Sequence, residues 1–416
     1  MTDDRPLLSL DDALARLAAV ASGHVLTALE TVSTFDALGR VLGCDVCSAL
    51  DVPPEDNSAM DGYALRSADV PVPGTVLPLS QRVPAGVVGG PLQVGTAARI
   101  FTGAQVPAGA DAVVMQEACE ALAVDDGLGR VRVNVRPHAG QSIRRRGEDV
   151  QRGAAVLLRG QRLTPQALGL AASVGAETLS VLRRPRAALF STGDELQMPG
   201  RPLRSGAIYN SNCYMLRGLL QASGCEVHDL GIVGDTLDAT RDALRRAAAL
   251  ADIVITCGGV SVGDEDHLKP AAQAEGSLEN WQLAIKPGKP LAVGRVRRAD
   301  GTQALLLGLP GNPVSAFVTY LLAASTVLRV MQGMHATLPA GLPMRADFDW
   351  PRPDKRREFL RVRCNASGGL DLFSNQGSGV LSSMVWADGL VDNPPGRAIA
   401  HGNTVHSLAL AELVAH

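Results

Sequence analysis

Segments of strand length alternate with segments of helical length between residues 183 and 332, and this alternation constrains the fold more than any other feature. The candidate strands are the apolar segments 186–190, 225–233, 252–256 and 304–309. The candidate helices cover 209–223 and 238–250, and a long apolar helix begins at Pro313. Alternation of this kind predicts a parallel sheet with helices on both faces.

The composition changes on both sides of this alternating region. Residues 52–140 are rich in Pro and Gly and carry short Val-rich runs, which predicts a small β-rich domain inserted into a mostly helical one. The tail has similar turns and short apolar runs, which predicts a second β-rich domain. We therefore predict a multidomain α/β plus β protein with a discontinuous first domain (1–51 and 141–182), the β-rich insert (52–140), a central α/β domain (183–332) and a C-terminal domain (333–416).

Local signals mark several helices outside the central domain. Ser9 followed by Asp12 resembles a capping box, and apolar residues then recur at helical spacing over residues 10–21. Thr164 and Pro165 suit the N-cap and first position of a helix over residues 166–172. In the tail, a helical pattern is present over residues 382–388 alone.

Charge, apolar runs and cysteines exclude several classes of protein. The formal net charge of −3 gives no basic footprint, so we expect no nucleic-acid partner. The acidic N-terminal stretch lacks the pattern of a secretory signal. The apolar run 314–330 carries polar residues and follows a helix-start signal, so we expect a buried helix and no membrane span. Seven cysteines, an odd number, indicate reduced thiols in the cytoplasm, and the role of the CxxC pair Cys44 and Cys47 stays open.

Every predicted strand end of the central domain is polar and bears glycine. The segments are STGDE with Glu195, GDT with Asp235, CGGVSVGDED with Gly258, Gly259, Ser261 and Asp266, KPGKP with Lys286 and Lys289, and LPGNPVS with Asn312 and Ser315. Ligands of open parallel sheets bind outside the carboxyl ends of the strands. Glycine turns let backbone N–H groups approach phosphate oxygens, and a helix start adds partial positive charge. The convergence therefore predicts an anion site.

The charged residues of these segments suggest separate tasks. Asp235 and Asp266 are hard oxygen ligands of the kind that Mg²⁺ uses when it also holds a phosphate. Lys286 and Lys289 are point charges that suit a compact oxyanion. Each has a structural alternative, because Asp235 also suits a helix N-cap and a KPGK loop is also a common turn. Together they favour phosphate or phosphoanhydride chemistry with a metal ion.

A second polar cluster lies in and beside the β-rich insert. Its segments are PPEDNSAMDGYAL with Asp61, RIFTGAQVPAGADAVVMQE with Thr102, and RRRGEDV with Asp149. Each segment alone also suits Asx-turns and caps. Three such segments in one region indicate the wall of a site, which leaves room for completion by another subunit.

The motifs DNSAMDGYA, RIFTGAxxPxGADAVVMxE, GEDV, STGDEL, CGGVSVGDED, KPGKP and LPGNPVSA occur here in an order typical of one family. On these motifs the chain resembles the MoeA family of molybdopterin molybdenumtransferases and is similar to the E-domain of gephyrin. The resemblance implies four domains, the third a MogA-like molybdopterin-binding domain and the last a β-barrel. It also implies that adenylylated molybdopterin and molybdate are converted into molybdenum cofactor and AMP with the help of Mg²⁺.

The resemblance carries specific roles onto residues of this sequence. It implies Asp235 and Asp266 as metal ligands, Glu195, Gly258 and Gly259 at the pterin-phosphate site, with Glu195 also catalytic, and Ser261 and Asn312 as substrate-binding residues. It further implies Lys286, Lys289, Ser315, Arg356 and Ser383 at the molybdate site, and Asp61, Thr102 and Asp149 as catalytic residues needed for activity across a homodimer interface. In the last domain, Arg357 competes with Arg356 and Ser378 competes with Ser383 for the same role.

Two other functions use related domains. A molybdopterin adenylyltransferase shares the α/β domain but needs neither the insert nor the C-terminal domain. A gephyrin-like scaffold would not require the acids and lysines of the strand ends. The choice between molybdate and tungstate stays open, and the resemblance also allows contacts with the adenylyltransferase and with chaperones of molybdoenzymes.

Overall fold

In a computed structural model of the protein, residues 7–125, 127–259, 267–335 and 337–415 are described. Their contacts divide the chain into two compact units. The larger unit takes its residues from 1–30, 39–43 and 181–416, and the smaller unit consists of residues 31–38 and 44–180.

The described helices and strands are numbered here in chain order. The helices are α1 (Leu10–Ser22), α2 (Pro165–Ser173), α3 (Ser211–Ala222), α4 (Leu237–Leu250), α5 (Leu268–Glu275), α6 (Pro313–Thr319), α7 (Ser325–Met331), α8 (Ser382–Trp386) and α9 (Leu410–Ala415). The strands of the first 182 residues are β1 (Leu29–Ser33), β2 (Val46–Cys47), β3 (Asn57–Ser58), β4 (Gly62–Leu65), β5 (Thr75–Val83), β6 (Ala97–Ile100), β7 (Ala112–Met115), β8 (Cys119–Leu122), β9 (Arg130–Val133), β10 (Ile143–Arg144), β11 (Ala155–Leu157) and β12 (Thr178–Leu182). The later strands are β13 (Arg186–Thr192), β14 (Leu196–Gln197), β15 (Ile208–Tyr209), β16 (Glu226–Val233), β17 (Ile253–Cys257), β18 (Gly276–Gln282), β19 (Ile285–Lys286), β20 (Pro290–Arg297), β21 (Gln303–Leu309), β22 (Leu342–Ala346), β23 (Arg357–Cys364), β24 (Gly369–Leu372), β25 (Gly389–Asn393) and β26 (Thr404–Ala409).

The larger unit contains the predicted α/β domain. Its sheet has the order β16-β13-β17-β21-β20-β18. The pairings among β16, β13, β17 and β21 are parallel, as predicted, whereas β20 and β18 add antiparallel strands at one edge. Both antiparallel strands were missed in the sequence, because GSLENWQ is too polar for an evident strand and PLAVGRVR begins inside the KPGKP motif. The fold class is confirmed, with a mixed sheet in place of a wholly parallel one.

Helices cover both faces of this sheet because successive strand residues point to opposite sides. On β13, Ala187 and Leu189 belong to one apolar cluster with α1, α3, α6 and α7, while Ala188 and Phe190 belong to another with α4 and α5. The start of α1 was predicted correctly, since the Ser9 side chain accepts the N–H of Asp12.

Helix α6 continues through a π-helical turn (Tyr320–Ala324) into α7, and the whole rod is buried. Among the described residues, Pro313–Met331 is one helix long and apolar enough to cross a membrane by length and composition, and 89% of its most apolar stretch is buried inside the protein. It is the core helix expected from its sequence.

The C-terminal part of the larger unit is a closed barrel. Strands β23, β24, β22, β26 and β25 follow one another, and a pairing between β23 and β25 closes the ring. Strand β19 pairs in parallel with β23, which places Lys286 opposite Glu358. The helix predicted near residue 382 is α8, whereas α9 was not predicted.

The smaller unit is β-rich, as predicted. Its main sheet has the order β7-β4-β6-β5-β9-β8, and the short pairs β10-β3 and β11-β2 lie outside that sheet. Helix α2 begins as predicted, because Thr164 accepts the N–H of Ala167 and Pro165 occupies the first turn. Small apolar residues such as Ala97, Val114 and Val131 form the core.

Candidate active site

A cleft of about 750 Å³ lies at the carboxyl ends of β13, β17 and β21. This is the edge of a parallel sheet at which ligands bind. The lining residues are Ser191, Thr192, Gly193, Glu195, Leu196, Ile208, Tyr209, Asn210, Ser211, Asn212, Asp235, Cys257, Gly258, Gly259, Pro290, Pro310, Gly311, Asn312, Pro313, Ser315 and Gly379. The structure therefore brings six residues predicted from the strand ends together: Glu195, Asp235, Gly258, Gly259, Asn312 and Ser315.

Two glycines in the cleft are required by close approaches of the chain. Gly258 has a φ of +94°, and a Cβ there would lie 2.8 Å from the carbonyl oxygen of Thr192. Gly193 has a φ of +139°, and a Cβ there would lie 2.5 Å from Oε2 of Glu195. Both positions favour glycine because an L side chain rarely adopts such a φ and would collide with its neighbours. The backbone is thereby exposed to a ligand in the cleft.

Hydrogen bonds tie the loops of the cleft floor to one another. The side-chain amide of Asn212 donates to the carbonyl oxygen of Gly311 (2.7 Å) and to Sγ of Cys257 (3.0 Å). Sγ of Cys257 in turn lies 3.2 Å from the carbonyl oxygen of Pro310. Burial raises the pKa of the Cys257 thiol to about 12, so the thiol stays protonated and donates to that oxygen. The ends of β17 and β21 and the start of α3 are thus held together.

Asp235 faces the cleft and is not a helix cap. The N-cap of α4 is Thr236, whose hydroxyl accepts the N–H of Ala239. The N–H of Asp235 donates to Oδ1 of Asp194 at 3.3 Å, and within the described ranges the Asp235 carboxylate makes no hydrogen bond or ion pair. Ser261 and Asp266 lie outside the described residues. Within the described ranges, no group of three or more His, Cys, Asp or Glu side chains is placed to hold a metal ion.

The KPGKP segment packs against the helix that closes the cleft. Gly288 has a φ of +107°, and a Cβ there would lie 2.4 Å from Oγ1 of Thr319 and 3.4 Å from the carbonyl oxygen of Ser315. Only a glycine fits so close to α6. Lys289 is exposed. Lys286 lies in β19, where it meets the barrel.

Lys286 is part of a cluster of two cations and two carboxylates. Its Nζ lies 3.3 Å from Oε1 of Glu358 and 3.4 Å from Oδ2 of Asp354. Arg356 holds the same Asp354 carboxylate through Nε (3.0 Å) and NH2 (2.9 Å). Arg357 points elsewhere, toward Asp392 and Asp11. Of the two competing arginines, Arg356 is therefore the one beside Lys286.

The two competing serines of the barrel lie in different surroundings. Ser383 is fully buried, accepts from Nε of Arg361 and donates to the carbonyl oxygen of Val380. Ser378 is partly exposed, and its carbonyl oxygen accepts the N–H of Val314 at the start of α6. The neighbouring Gly379 lines the cleft. The segment that contains Ser378 is thus the part of the barrel that meets the cleft.

The other predicted residues belong to the smaller unit. Oδ1 of Asp61 accepts the backbone N–H (2.7 Å) and the hydroxyl (2.8 Å) of Thr102. These bonds, with a smaller effect of Arg99, hold the pKa of the Asp61 carboxyl below its usual range. Asp149 is exposed, and its N–H donates to the carbonyl oxygen of Val52. Asp61 and Thr102 are thus one hydrogen-bonded pair.

Several residues of the cleft and the cluster were missed in the sequence. Asn210 is buried and caps α3 by accepting the N–H of Cys213, and Asn212 joins the loops. The predicted helix over residues 209–223 begins within the segment YNSN, so Asn210 is placed inside it and not at its N-cap. An Asn–Ser–Asn run before an apolar stretch is nevertheless an N-cap signal. Asp354 and Glu358 carried no signal, because their role depends on the pairing of distant strands.

Comparisons with known proteins agree with this architecture. Three family models match the chain: the MoeA N-terminal region (domain I and II) at residues 8–175, the probable molybdopterin binding domain at 188–329, and the MoeA C-terminal region (domain IV) at 343–410.

Curated relatives and a solved structure extend the likeness over most of the chain. A molybdopterin molybdenumtransferase of Haemophilus influenzae is 39% identical over 91% of this chain and 92% of its own length. One from Nostoc is 35% identical over 92% of this chain and 88% of its own length. The crystal structure of the molybdopterin biosynthesis moeA protein from Pyrococcus horikoshii OT3 matches with a TM-score of 0.81 and 27% identity, covering 97% of this chain and 100% of that chain. The chain therefore belongs to the MoeA family of molybdopterin molybdenumtransferases.

Proposed function

We propose that this transferase takes adenylylated molybdopterin as its substrate, inserts molybdate and releases AMP in the cytoplasm. The observation that carries the proposal is the position of the cleft between two kinds of binding group. On one side lie the glycine turns and acids of the strand ends. On the other side lies the start of α6; Gly288 of the KPGKP segment packs against this helix, and Lys286 of the same segment lies two residues earlier.

The strand-end side suits a phosphorylated, flat organic ligand. At the turn, the N–H of Gly258 donates to the carbonyl oxygen of Leu309, so the N–H of Gly259 is the one proposed to reach a phosphate oxygen. Leu196, Ile208 and Tyr209 form an adjoining wall from β14 and β15 that suits the face of a planar pterin. The cleft of about 750 Å³ falls in the size range of small-molecule sites.

The donor set of the cleft fits a magnesium ion held mainly by the substrate. Mg²⁺ usually binds through one or two carboxylates together with phosphate oxygens and water. The Asp235 carboxylate lines the cleft and has no side-chain partner in the part of the chain that the structure describes. Asp235, together with Asp266, would hold the ion. When bound, it would neutralise charge on the phosphoanhydride oxygens.

The oxyanion side suits a small dianion. Lys286 and Arg356 present two positive charges on one carboxylate, that of Asp354, and Lys286 lies two residues before Gly288, which packs against α6. Molybdate held there would lie beside the dithiolene thiols of the pterin; as the two sulfurs bond to molybdenum, one Mo–O bond breaks and its oxygen leaves with the two thiol protons as water. An oxygen of molybdate or of water forms the new P–O bond, the phosphoanhydride P–O bond breaks, and AMP departs. The residues bind and orient both reactants.

A second copy of the chain is proposed to supply Asp61, Thr102 and Asp149 to the site. The Asp61–Thr102 pair is exposed and already ordered by its hydrogen bonds, so it is available to a ligand held by a partner subunit. Mixing Asp61→Ala with Asp235→Ala protein tests this arrangement. Mixed dimers would recover part of the activity, because one of their two sites would be intact. Activity that stays absent in verified mixed dimers would contradict a shared site.

The main test follows AMP and cofactor together. Purified protein is mixed with adenylylated molybdopterin, molybdate and Mg²⁺, and both products are measured. Asp235→Asn is expected to slow AMP release while the thermal unfolding midpoint stays unchanged. The control is Asp238→Asn, an exposed acid in the first turn of α4 that does not line the cleft. Equal AMP release by Asp235→Asn and the unmodified protein would refute the assignment.

A further inference from the structure

Both cations proposed for the oxyanion are engaged by a single carboxylate of the same chain. Oδ2 of Asp354 lies 2.9 Å from NH2 of Arg356 and 3.4 Å from Nζ of Lys286. Oδ1 of Asp354 accepts from the backbone N–H and from Nε of Arg356, each at 3.0 Å. This carboxylate bridges the two cations in the way that an oxyanion bound to both would bridge them.

Glu358 contacts Lys286 too, but it is held in a different way. Its side chain is 1% exposed, in the first part of β23. Oε2 of Glu358 accepts from Nε1 of Trp350 at 2.8 Å and from Nδ2 of Asn393 at 3.4 Å, while Oε1 faces Lys286. A buried carboxylate with two further donors from the barrel is fixed in place. Its charge is compensated by Lys286, as a buried charge requires.

Asp354 lacks such an anchor. It lies just before β23, its side chain is 20% exposed, and its carboxylate contacts only Arg356 and Lys286 in the described ranges. Rotation of this side chain would therefore release both cations, and the only bond to the backbone that it would break in the described ranges is the one from the N–H of Arg356. Asp354 and Glu358 thus both contact Lys286, but Glu358 is also held by side chains of the barrel and Asp354 is not.

On the basis of the proposed oxyanion site, we propose that Asp354 is an internal competitor that occupies the oxyanion position, and that Glu358 is a positioning residue that keeps Lys286 there. Two cations and two carboxylates leave the cluster with no net charge. A bound oxyanion would displace Asp354 from Arg356 and Lys286, while Glu358 would continue to hold the lysine in place.

The competition favours ligands with two negative charges. Coulomb attraction scales with charge, so a monoanion gains no more from the two cations than the Asp354 carboxylate that it must displace. A tetrahedral dianion such as molybdate or tungstate gains about twice as much at equal distance. Arg356, through its hydrogen bonds, holds the pKa of the Asp354 carboxyl well below its usual range. The competitor is therefore ionised at neutral pH while it holds Arg356.

Two substitutions that each remove one negative charge beside Lys286 are expected to act in opposite directions. Asp354→Asn removes the competitor, so the Kd for molybdate alone and the KM for molybdate are expected to fall about tenfold. Glu358→Gln removes the charge that holds the lysine, so both constants are expected to rise about tenfold or more. An unspecific effect of charge would move both variants the same way. Binding is measured by equilibrium dialysis and KM by AMP release at saturating pterin.

Three further proteins complete the experiment. Asp354→Ser removes the competitor without an amide and is expected to repeat the effect of Asp354→Asn. Asp371→Asn removes an exposed acid from β24 of the barrel and is expected to leave both constants unchanged. Lys286→Gln tests the site itself and is expected to weaken molybdate binding strongly.

The outcomes separate the inference from the function on which it rests. If Lys286→Gln binds molybdate as tightly as the unmodified protein, the proposed oxyanion site is wrong. If Lys286→Gln weakens binding while both substitutions of Asp354 weaken it too or change nothing, the site stands and the competitor is refuted. Competition by a monoanion is a further measurement. Chloride or nitrate is expected to compete with molybdate more strongly in Asp354→Asn than in the unmodified protein.

Discussion

The side-chain amide of Asn212 lies 2.7 Å from the carbonyl oxygen of Gly311. Asn212 stands in the first turn of α3, and Gly311 belongs to the loop between β21 and α6. The two residues are 99 positions apart in sequence. The sheet brings the start of α3 and the loop between β21 and α6 near each other, and this hydrogen bond fixes one against the other. The same amide reaches Cys257 at the end of β17.

Asn212→Ala is expected to loosen the cleft. Loss of an exposed hydrogen bond of this kind costs about 0.5–1.5 kcal/mol of the free energy of unfolding. The KM for the pterin substrate should rise, because three loops that carry its proposed contacts lose their common tie. Denaturant unfolding and steady-state kinetics measure the two effects. Gln221→Ala, an exposed change at the far end of α3, is the control and should alter neither.

Gly258→Ala is expected to destabilise the protein and to abolish activity. The substitution places a Cβ 2.8 Å from the carbonyl oxygen of Thr192 at a φ of +94°. Strain of this kind costs about 1–3 kcal/mol, and relief requires the strand ends to move apart. Denaturant unfolding and the rate of AMP release measure the two effects.

Gly218→Ala is the matched control for this glycine. Gly218 lies inside α3, and a Cβ added there would meet no heavy atom within 4 Å beyond the backbone of its own helix. Alanine is preferred over glycine in a helix, so the free energy of unfolding should increase by about 0.5–1 kcal/mol. Equal effects of the two substitutions would contradict the close approach at Gly258.

The carboxylate of Asp252 is expected to make the larger unit sensitive to acid. Burial tends to raise the pKa of this group, but the bonds from Arg183 (2.7 and 2.9 Å) and from the N–H of Arg186 outweigh it and leave the pKa lowered. A carboxyl whose folded pKa is lowered stabilises the folded state above its unfolded pKa of about 3.9. That stability is lost as the pH falls through the folded value.

Asp252→Asn tests this contribution through its pH dependence. The variant should unfold at a lower temperature than the unmodified protein at pH 7, and the difference between the two midpoints should narrow below about pH 4. Scanning calorimetry from pH 7 to pH 3 supplies the measurement. A constant difference over that range would show that packing, and not charge, explains the effect of the substitution.

Local signals and alternation were enough to predict the main architecture. The N-caps at Ser9 and Thr164 depend on residues within three positions, and the parallel strands depend on apolar runs that need burial on both faces. For the same reason the glycine-bearing strand ends were predicted as one site, since parallel strands deliver their carboxyl ends to one edge.

Features that depend on distant pairings were not predictable in this way. Strand β18 is polar enough to resemble a loop, and only its partner β20 makes it a strand. The contact between Lys286 and Glu358 exists because β19 joins the barrel, at a separation of 72 residues. Asp235 precedes a helix, and its sequence position also suits the N-cap of that helix. The structure shows that Thr236 is the N-cap of α4, so Asp235 is not the cap and faces the cleft.

Gly288 provides the last prediction, because it holds the KPGKP segment against α6. A Cβ at this position would lie 2.4 Å from Oγ1 of Thr319, at a φ of +107°. Gly288→Ala should therefore push the segment away from the helix and weaken molybdate binding, since Lys286 lies two residues before it. Equilibrium dialysis with molybdate measures the change.

A double substitution separates collision from backbone strain. Thr319→Ala removes the hydroxyl that the new Cβ would meet but leaves the φ of +107° in place. If collision displaces the segment, Gly288→Ala combined with Thr319→Ala should recover most of the affinity for molybdate, although a cost of about 1–3 kcal/mol in the free energy of unfolding persists from the strained φ. Thr319→Ala alone is the control and should bind molybdate normally. A double variant that binds as weakly as Gly288→Ala would assign the effect to the backbone conformation and not to the packing against α6.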